Sequence, residues 1–253
     1  MKYTEDIITY LKGGSMIQNG NTVVITGASD GLGKAIALEL AKKYDLNFSL
    51  CGRNREKLEL CKVEIQEINS NSSVYIEAFN LLDEIAIKQY VSNTITEFKQ
   101  IDYLINNAGA NTKKALVEEI DLTDFRYMME LNCISHLAMI QQVYPAMRVR
   151  RKGQIIDILS SVCLFSNETM ASYTASKQAM NAVHKILAKE AREHNVMITG
   201  IYPGGIDTHF RAVERHDYMS VNTVATAIIH LMELEDDAIP QELVMRPFVE
   251  TNY

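Results

Sequence analysis

Short apolar runs alternate along this chain with longer stretches in which apolar positions recur every three or four residues, and that alternation sets the reading of the fold. Thr22-Val23-Val24-Ile25-Thr26 is β-branched and predicts a strand, while the spacing from Leu32 to Tyr44 predicts a helix. Further strands are predicted at Leu46–Cys51, Ser73–Phe79, Tyr103–Gly109, Gln154–Leu159, Val196–Tyr202 and Leu243–Met245. Helices are predicted between them at Glu56–Asn69, Asp83–Lys99, about Thr123–Arg150, Ala171–Glu193 and Val221–Leu234. The Thr123–Arg150 helix should break or bend at Pro145, because proline has no amide hydrogen to give the helix. Strands alternating with helices predict a single-domain, doubly wound α/β fold with a mostly or wholly parallel seven-stranded sheet, whose ligands bind beyond the carboxyl ends of the strands.

The opening segment stands apart from this series. Ile7, Ile8 and Leu11 share a helical face, and Lys12-Gly13-Gly14-Ser15 stops it. Residues 1–15 therefore read as an extension that either contacts a partner or subunit or is merely packed or frayed, and residues 16–253 as the domain.

With 253 residues, 47% of them hydrophobic, the chain can bury one full core. A net charge of −7 argues against a nucleic-acid or acidic-membrane partner. Cys51, Cys61, Cys133 and Cys163 lack the close spacing of a zinc site or a disulfide framework and read as buried thiols in a reducing compartment. No run reaches the length of a membrane span and the first twenty residues lack a signal-peptide core, so the expected location is cytoplasmic.

Candidate chemistry gathers where strands end. Gly27-Ala28-Ser29-Asp30-Gly31-Leu32-Gly33 follows the first strand and opens a helix, where glycines let backbone approach a pyrophosphate and free N–H groups meet the anion. The second strand ends at Gly52-Arg53, with no carboxylate to hold a ribose 2′-hydroxyl; the planar guanidinium suits a 2′-phosphate, which favours NADP(H), with Arg55 as a second candidate contact. Asn106-Asn107-Ala108-Gly109 either ties strand ends together or lines the cofactor. Asn132 is a polar amide in mid-helix, so it is either exposed or has a buried partner. Ser160 and Ser161 end a strand twelve residues before Tyr173. Tyr173 and Lys177 stand four apart on one helix face, where a lysine ammonium favours the phenolate and makes a proton-transfer pair. His136, His184 and His230 form no spaced cluster and read as ordinary helix residues, and no metal site is implied.

In order, Thr26-Gly27-(x3)-Gly31-x-Gly33, Asn106-Asn107-Ala108-Gly109, Asn132, Ser161, Tyr173-(x3)-Lys177 and Pro203-Gly204-(x3)-Thr208 resemble the short-chain dehydrogenase/reductase family, over about Met16 to Pro247. The resemblance implies a Rossmann fold in which Tyr173 exchanges a proton with the substrate oxygen. Lys177 would lower the tyrosine pKa and bond the nicotinamide ribose, Ser161 would polarise the carbonyl, and Asn132 would support a water linking Lys177 to solvent. It also implies cofactor contacts from Gly27, Ser29, Asp30, Gly31, Leu32, Gly33, Arg53, Asn80, Leu81, Asn107, Ala108, Gly109, Tyr173, Lys177, Pro203, Gly204, Ile206 and Thr208.

Two departures from the family pattern stand out. Asn80 replaces the aspartate that often meets the adenine amine, and the Ser161–Tyr173 spacing is one residue shorter than usual. The loop between them should line an apolar substrate pocket through Cys163, Leu164, Phe165 and Met170, with Asn167 and Glu168 facing either solvent or ligand. The short segment after Thr208 implies a small lid. The expected activity is NADPH-dependent reduction of a ketone or aldehyde, with an NADP-dependent alcohol dehydrogenase on a hydroxysteroid, sugar or polyol and a nucleotide-sensing regulator as alternatives. The family resemblance also implies a homodimer or homotetramer acting on a small-molecule substrate.

Overall fold

The computed structural model describes residues 17–208, 215–235 and 238–251. The extension over residues 1–15 and most of the segment after Thr208 lie outside them. The strands are β1 (Thr22–Thr26), β2 (Asn47–Gly52), β3 (Ser73–Ala78), β4 (Tyr103–Asn106), β5 (Gln154–Ile158), β6 (Met197–Pro203), β7 (Ile206–Asp207), β8 (Met219–Ser220) and β9 (Glu242–Met245). The helices are α1 (Gly31–Ala41), α2 (Arg55–Ile68), α3 (Glu84–Phe98), α4 (Leu122–Met129), α5 (Ser135–Arg150), α6 (Ala171–Glu190) and α7 (Val221–Met232).

Seven strands form one sheet in the order β3-β2-β1-β4-β5-β6-β9, and every neighbouring pair is parallel. Val23 and Ile25 of β1 enter one apolar cluster and Val24 the other; Tyr103 and Ile105 of β4 likewise oppose Leu104. Burial on both faces explains why these strands read as continuous apolar runs. Helices α1, α2 and α7 cover the first face, and α3, α5 and α6 the second. Strand order reverses between β1 and β4, so a crevice opens beyond their carboxyl ends.

Beyond shifts of a few residues at element ends, two differences from the sequence expectation bear on the site. The long helix is interrupted not at Pro145, which lies inside α5, but at a π turn over Glu130–Ile134, where Ser135 N–H reaches back to the Glu130 carbonyl. The extra residue falls at fully buried Asn132, whose side chain is engaged outside the helix. Strand β4 ends at Asn106 rather than Gly109, because the N–H groups of Asn107 and Ala108 both donate to Thr26 Oγ1, each at 3.0 Å, instead of extending the ladder.

Among the described residues, the four cysteines are free and buried. No group of acidic, histidine and cysteine side chains there could hold a metal, and no helix is long and apolar enough to cross a membrane. The basic cluster at Arg148, Arg150, Arg151 and Lys152 precedes β5 and so lies at the amino edge of the sheet, away from the crevice.

Candidate active site

A cleft of about 920 Å³ occupies the crevice. Its floor is the turn between β1 and α1. Gly27 takes φ +66°, and a Cβ there would stand 3.0 Å from both Ala108 Cα and Asn107 Nδ2. Asn107 Nδ2 donates to the carbonyls of Thr26 and Gly27 at 2.9 and 3.3 Å, so the glycine turn is locked to the end of β4. Asp30 caps α1 by accepting Gly31 N–H at 2.8 Å. Ser29, Asp30, Gly31 and Leu32 line the cleft, and a side chain at Gly27 would collide with Asn107 and Ala108 beside it. Gly33 does not line it. A Cβ at Gly33 would fall 2.5 Å from Asn107 Nδ2 and from the Gly27 carbonyl, so its part is to let α1 pack beneath the turn. Backbone N–H groups at a helix start, in a cleft-lining turn whose Gly27 and Gly31 carry no side chain and hold positive φ, suit the pyrophosphate of a dinucleotide.

Around this floor the structure gathers Arg53 after β2, Asn80 and Leu81 after β3, Asn107, Ala108 and Gly109 after β4, and Pro203 at the end of β6 with Gly204, Ile206 and Thr208 beyond it. Asn80 Oδ1 accepts Leu82 N–H at 3.2 Å, forming its own turn. Arg53 Nη1 donates to the Tyr127 hydroxyl at 3.3 Å, and Asp30 is paired with Lys57 at 2.5 Å. Lys57 and Tyr127 carry no sequence signal, since only the fold brings α2 and α4 to this rim. Arg55 is absent from the cleft and instead pairs with Glu59 along α2.

The opposite wall carries Ser161, Tyr173 and Lys177, all buried and all lining the cleft. Ser161 opens a short 3-10 turn after β5. Tyr173 and Lys177 lie one helical turn apart on α6, and Lys177 Nζ donates to the Ile158 carbonyl at 2.8 Å. Burial pushes the Lys177 ammonium down to about 8, opposed by the nearby Cys163, Asp157 and Cys133.

Asn132 lies behind this wall rather than in it. Its Oδ1 accepts Ala110 N–H at 2.8 Å, and its Nδ2 donates to the Ala110 carbonyl at 2.8 Å and to Ser176 Oγ at 2.9 Å. The mid-helix amide therefore has buried partners. Gly109 runs between Asn132 and the lysine: a Cβ there would be 2.9 Å from Asn132 Oδ1 and 3.4 Å from Lys177 Nζ. Asn106 donates to buried Asp157 at 2.9 Å, and Asp157 in turn bonds His184 Nδ1 at 2.7 Å, so Asn106 ties strands together and Asn107 to Gly109 face the cleft.

The loop between Ser161 and Tyr173 sends Asn167, Glu168, Thr169 and Met170 to the cleft. Cys163, Leu164 and Phe165 do not reach it, contrary to the sequence expectation. The 3-10 turn directs Cys163 into the core behind β5, and Leu164 is left 40% exposed outside the cleft. The shortened loop closes through Thr169, held at φ +63° with its carbonyl accepting Ala115 N–H at 3.0 Å. Asn111, Lys114, Tyr218 and Glu250 also line the cleft. None of these four lies in a recognisable motif.

A family model described as short chain dehydrogenase matches residues 21–219. The chain belongs to the short-chain dehydrogenase/reductase family. Within this family of oxidoreductases, a fatty acyl-CoA reductase from Acinetobacter baylyi is 35% identical over 185 residues, which cover 72% of this chain and 61% of that protein. The chain thus spans less than two thirds of that relative. An NADPH-dependent pterin aldehyde reductase from Arabidopsis thaliana is 31% identical over 74% of this chain and 75% of its own length. An alcohol dehydrogenase from Thermococcus sibiricus, solved with 5-hydroxy-NADP, superposes with a TM-score of 0.84 at 22% identity over 91% of this chain and 97% of its own. The family fold also occurs with NAD+ bound, so the fold alone does not choose the nucleotide.

Proposed function

We propose that this chain is an NADPH-dependent reductase of ketones or aldehydes. The observation that carries the reading is the convergence of Ser161, Tyr173 and Lys177 on one wall of a cleft whose floor is the Gly27–Gly31 cradle. Bound there, the reduced nicotinamide supplies the hydride. The preference for a 2′-phosphate rests on Arg53, which offers a fork of donors, and on Lys57, which neutralises the Asp30 carboxylate of the glycine turn. Asn80 and Leu81 suit the adenine end, and Ala108, Gly109, Pro203, Gly204, Ile206 and Thr208 the nicotinamide end.

In this reading the Ser161 hydroxyl donates to the substrate oxygen and holds the carbonyl, and Tyr173 gives its proton to the alkoxide as it forms. Lys177, charged and moored to Ile158, favours the phenolate that remains. Asn132 is a positioning residue: its amide is spent on Ala110 and Ser176, which fixes the Gly109–Ala110 turn beside Lys177. Assembly as a dimer or tetramer through α5 and α6 accords with their exposed apolar residues Val149 and Ile186.

The test is NADPH oxidation against a panel of ketones, aldehydes, quinones and ketoacyl thioesters, run beside NADH and Tyr173→Phe. Turnover with NADPH that Tyr173→Phe abolishes is the expected result. Tight NADPH binding with no turnover anywhere on the panel overturns it, and better turnover with NADH overturns the part given to Arg53.

A further inference from the structure

The chain after β9 folds back onto the cleft. Met245 pairs with Pro203 across the sheet edge, and the Met245 carbonyl accepts Gly204 N–H at 2.7 Å. Glu250 N–H then donates to the Pro247 carbonyl at 3.1 Å, turning the backbone around. The Glu250 carboxylate takes Gly205 N–H on Oε1 at 2.8 Å and Arg246 Nε–H on Oε2 at 3.1 Å. Arg246 in turn places its guanidinium 4.3 Å from the ring centroid of Phe165, inside the loop between Ser161 and Tyr173.

Both charged side chains are shielded, Arg246 at 11% and Glu250 at 19% exposure. The carboxylate rests directly on the turn: a Cβ on Gly204 would lie 2.3 Å from Glu250 Oε2. Fastening the tail does not need this arrangement, because the backbone bond from Gly204 to Met245 already does so. The planar guanidinium can stack on a ring and pair with a carboxylate at once, joining two loops that the sheet does not join. The family-model match ends at residue 219, so Arg246 and Glu250 lie beyond it while Phe165 and Gly205, which they hold, lie within it.

We infer that Arg246 and Glu250 are positioning residues that tie the Pro203–Gly205 turn to the Phe165 loop, so that the substrate end of the cleft is set by the C-terminal turn. Its effect on catalysis rests on the reductase reading; the mechanical coupling does not.

The experiment therefore has two arms on the full chain. Hydrogen exchange compares the wild type with Arg246→Met, Glu250→Gln and Phe165→Leu. Coupling predicts that Arg246→Met and Glu250→Gln raise exchange in residues 162–170 as well as in the tail, and that Phe165→Leu raises it in residues 246–250. Exchange that rises only around each substituted residue overturns the inference. Steady-state kinetics then compares the same variants with the double variant Arg246→Met/Phe165→Leu. The carbonyl substrate KM should rise about three- to tenfold in each single variant, with a smaller loss of NADPH affinity through the Pro203–Gly204 turn and the double variant no worse than the worse single. Unchanged KM, or single effects that multiply in the double, overturns it. A wild type inert toward every carbonyl overturns the reductase reading instead, and the exchange arm alone then decides the coupling.

Discussion

Lys177 donates to the carbonyl of Ile158 at 2.8 Å, which moors the cation of α6 to the last residue of β5. Ser161 leaves the same strand three residues later, so one bond sets the helix that carries Tyr173 against the segment that carries Ser161.

Removal of either member of the Tyr173–Lys177 pair should lower kcat for carbonyl reduction by about 10²- to 10⁴-fold, the range of a positioned general acid. Tyr173→Phe and Lys177→Met, assayed by NADPH oxidation, test this. The pH profile carries a sign. Burial holds Lys177 near 8, so the ammonium is present below that value and is stripped as pH rises through it. Reduction should therefore fall on the alkaline side with an apparent midpoint near 8, a property of the coupled Tyr173–Lys177 pair. Lys177→Met should lack that limb.

Arg53→Ala removes the guanidinium that follows β2. Loss of a charge-assisted bond of about 1.5–3 kcal/mol should raise the NADPH KM about ten- to hundredfold and leave the NADH KM nearly unchanged. Initial rates with the two nucleotides measure the change in preference.

Gly109→Ala places a methyl group 2.9 Å from Asn132 Oδ1 and 3.4 Å from Lys177 Nζ. Asn132 is held by three hydrogen bonds and cannot yield freely. The expected cost is about 1–3 kcal/mol of stability, with a loss of kcat of about tenfold or more as Lys177 is displaced. Thermal unfolding and turnover of the same sample separate the two effects.

His136 predicts an acid limit to stability. Its Nε2 lies 2.6 Å from the Ala108 carbonyl, which can only accept, so Nε2 carries the proton of a neutral ring. Burial, helped by the nearby Lys177 charge, lowers its pKa from 6.5 to about 4. Between those values the unfolded chain binds the extra proton and the folded chain does not. Stability is then full above about 6.5 and is lost as pH falls toward 4, by up to about 3 kcal/mol. His136→Gln keeps a donor for Ala108 and cannot titrate, so its urea midpoint should fall less between pH 7 and pH 5 than that of the wild type.

Much of the architecture was legible because doubly buried strands are written as unbroken apolar runs. Val23, Val24 and Ile25 announce β1 whichever face each one joins. Tyr173 and Lys177 were legible for the same local reason: a spacing of four on a helix places them together without any tertiary contact. The π turn was not. Pro145 is a visible irregularity and Asn132 a subtle one, but the register change accompanies Asn132's bonds to Ala110 and Ser176, which lie on other elements.

By itself, then, the amino-acid sequence determined what depends on neighbours within a few residues: the alternation of strands and helices, the glycine turn after β1, Ser161 at a strand end and the Tyr173–Lys177 pair. Tertiary structure alone decided what depends on approach between distant segments. It turned Cys163 into the core and Glu168 toward the cleft, paired Lys57 with Asp30, set Tyr127 beside Arg53, and folded Glu250 onto Gly205. The last three contacts join residues 27 to 74 positions apart, and no local pattern encodes them because the sheet order, not the chain order, sets which loops meet.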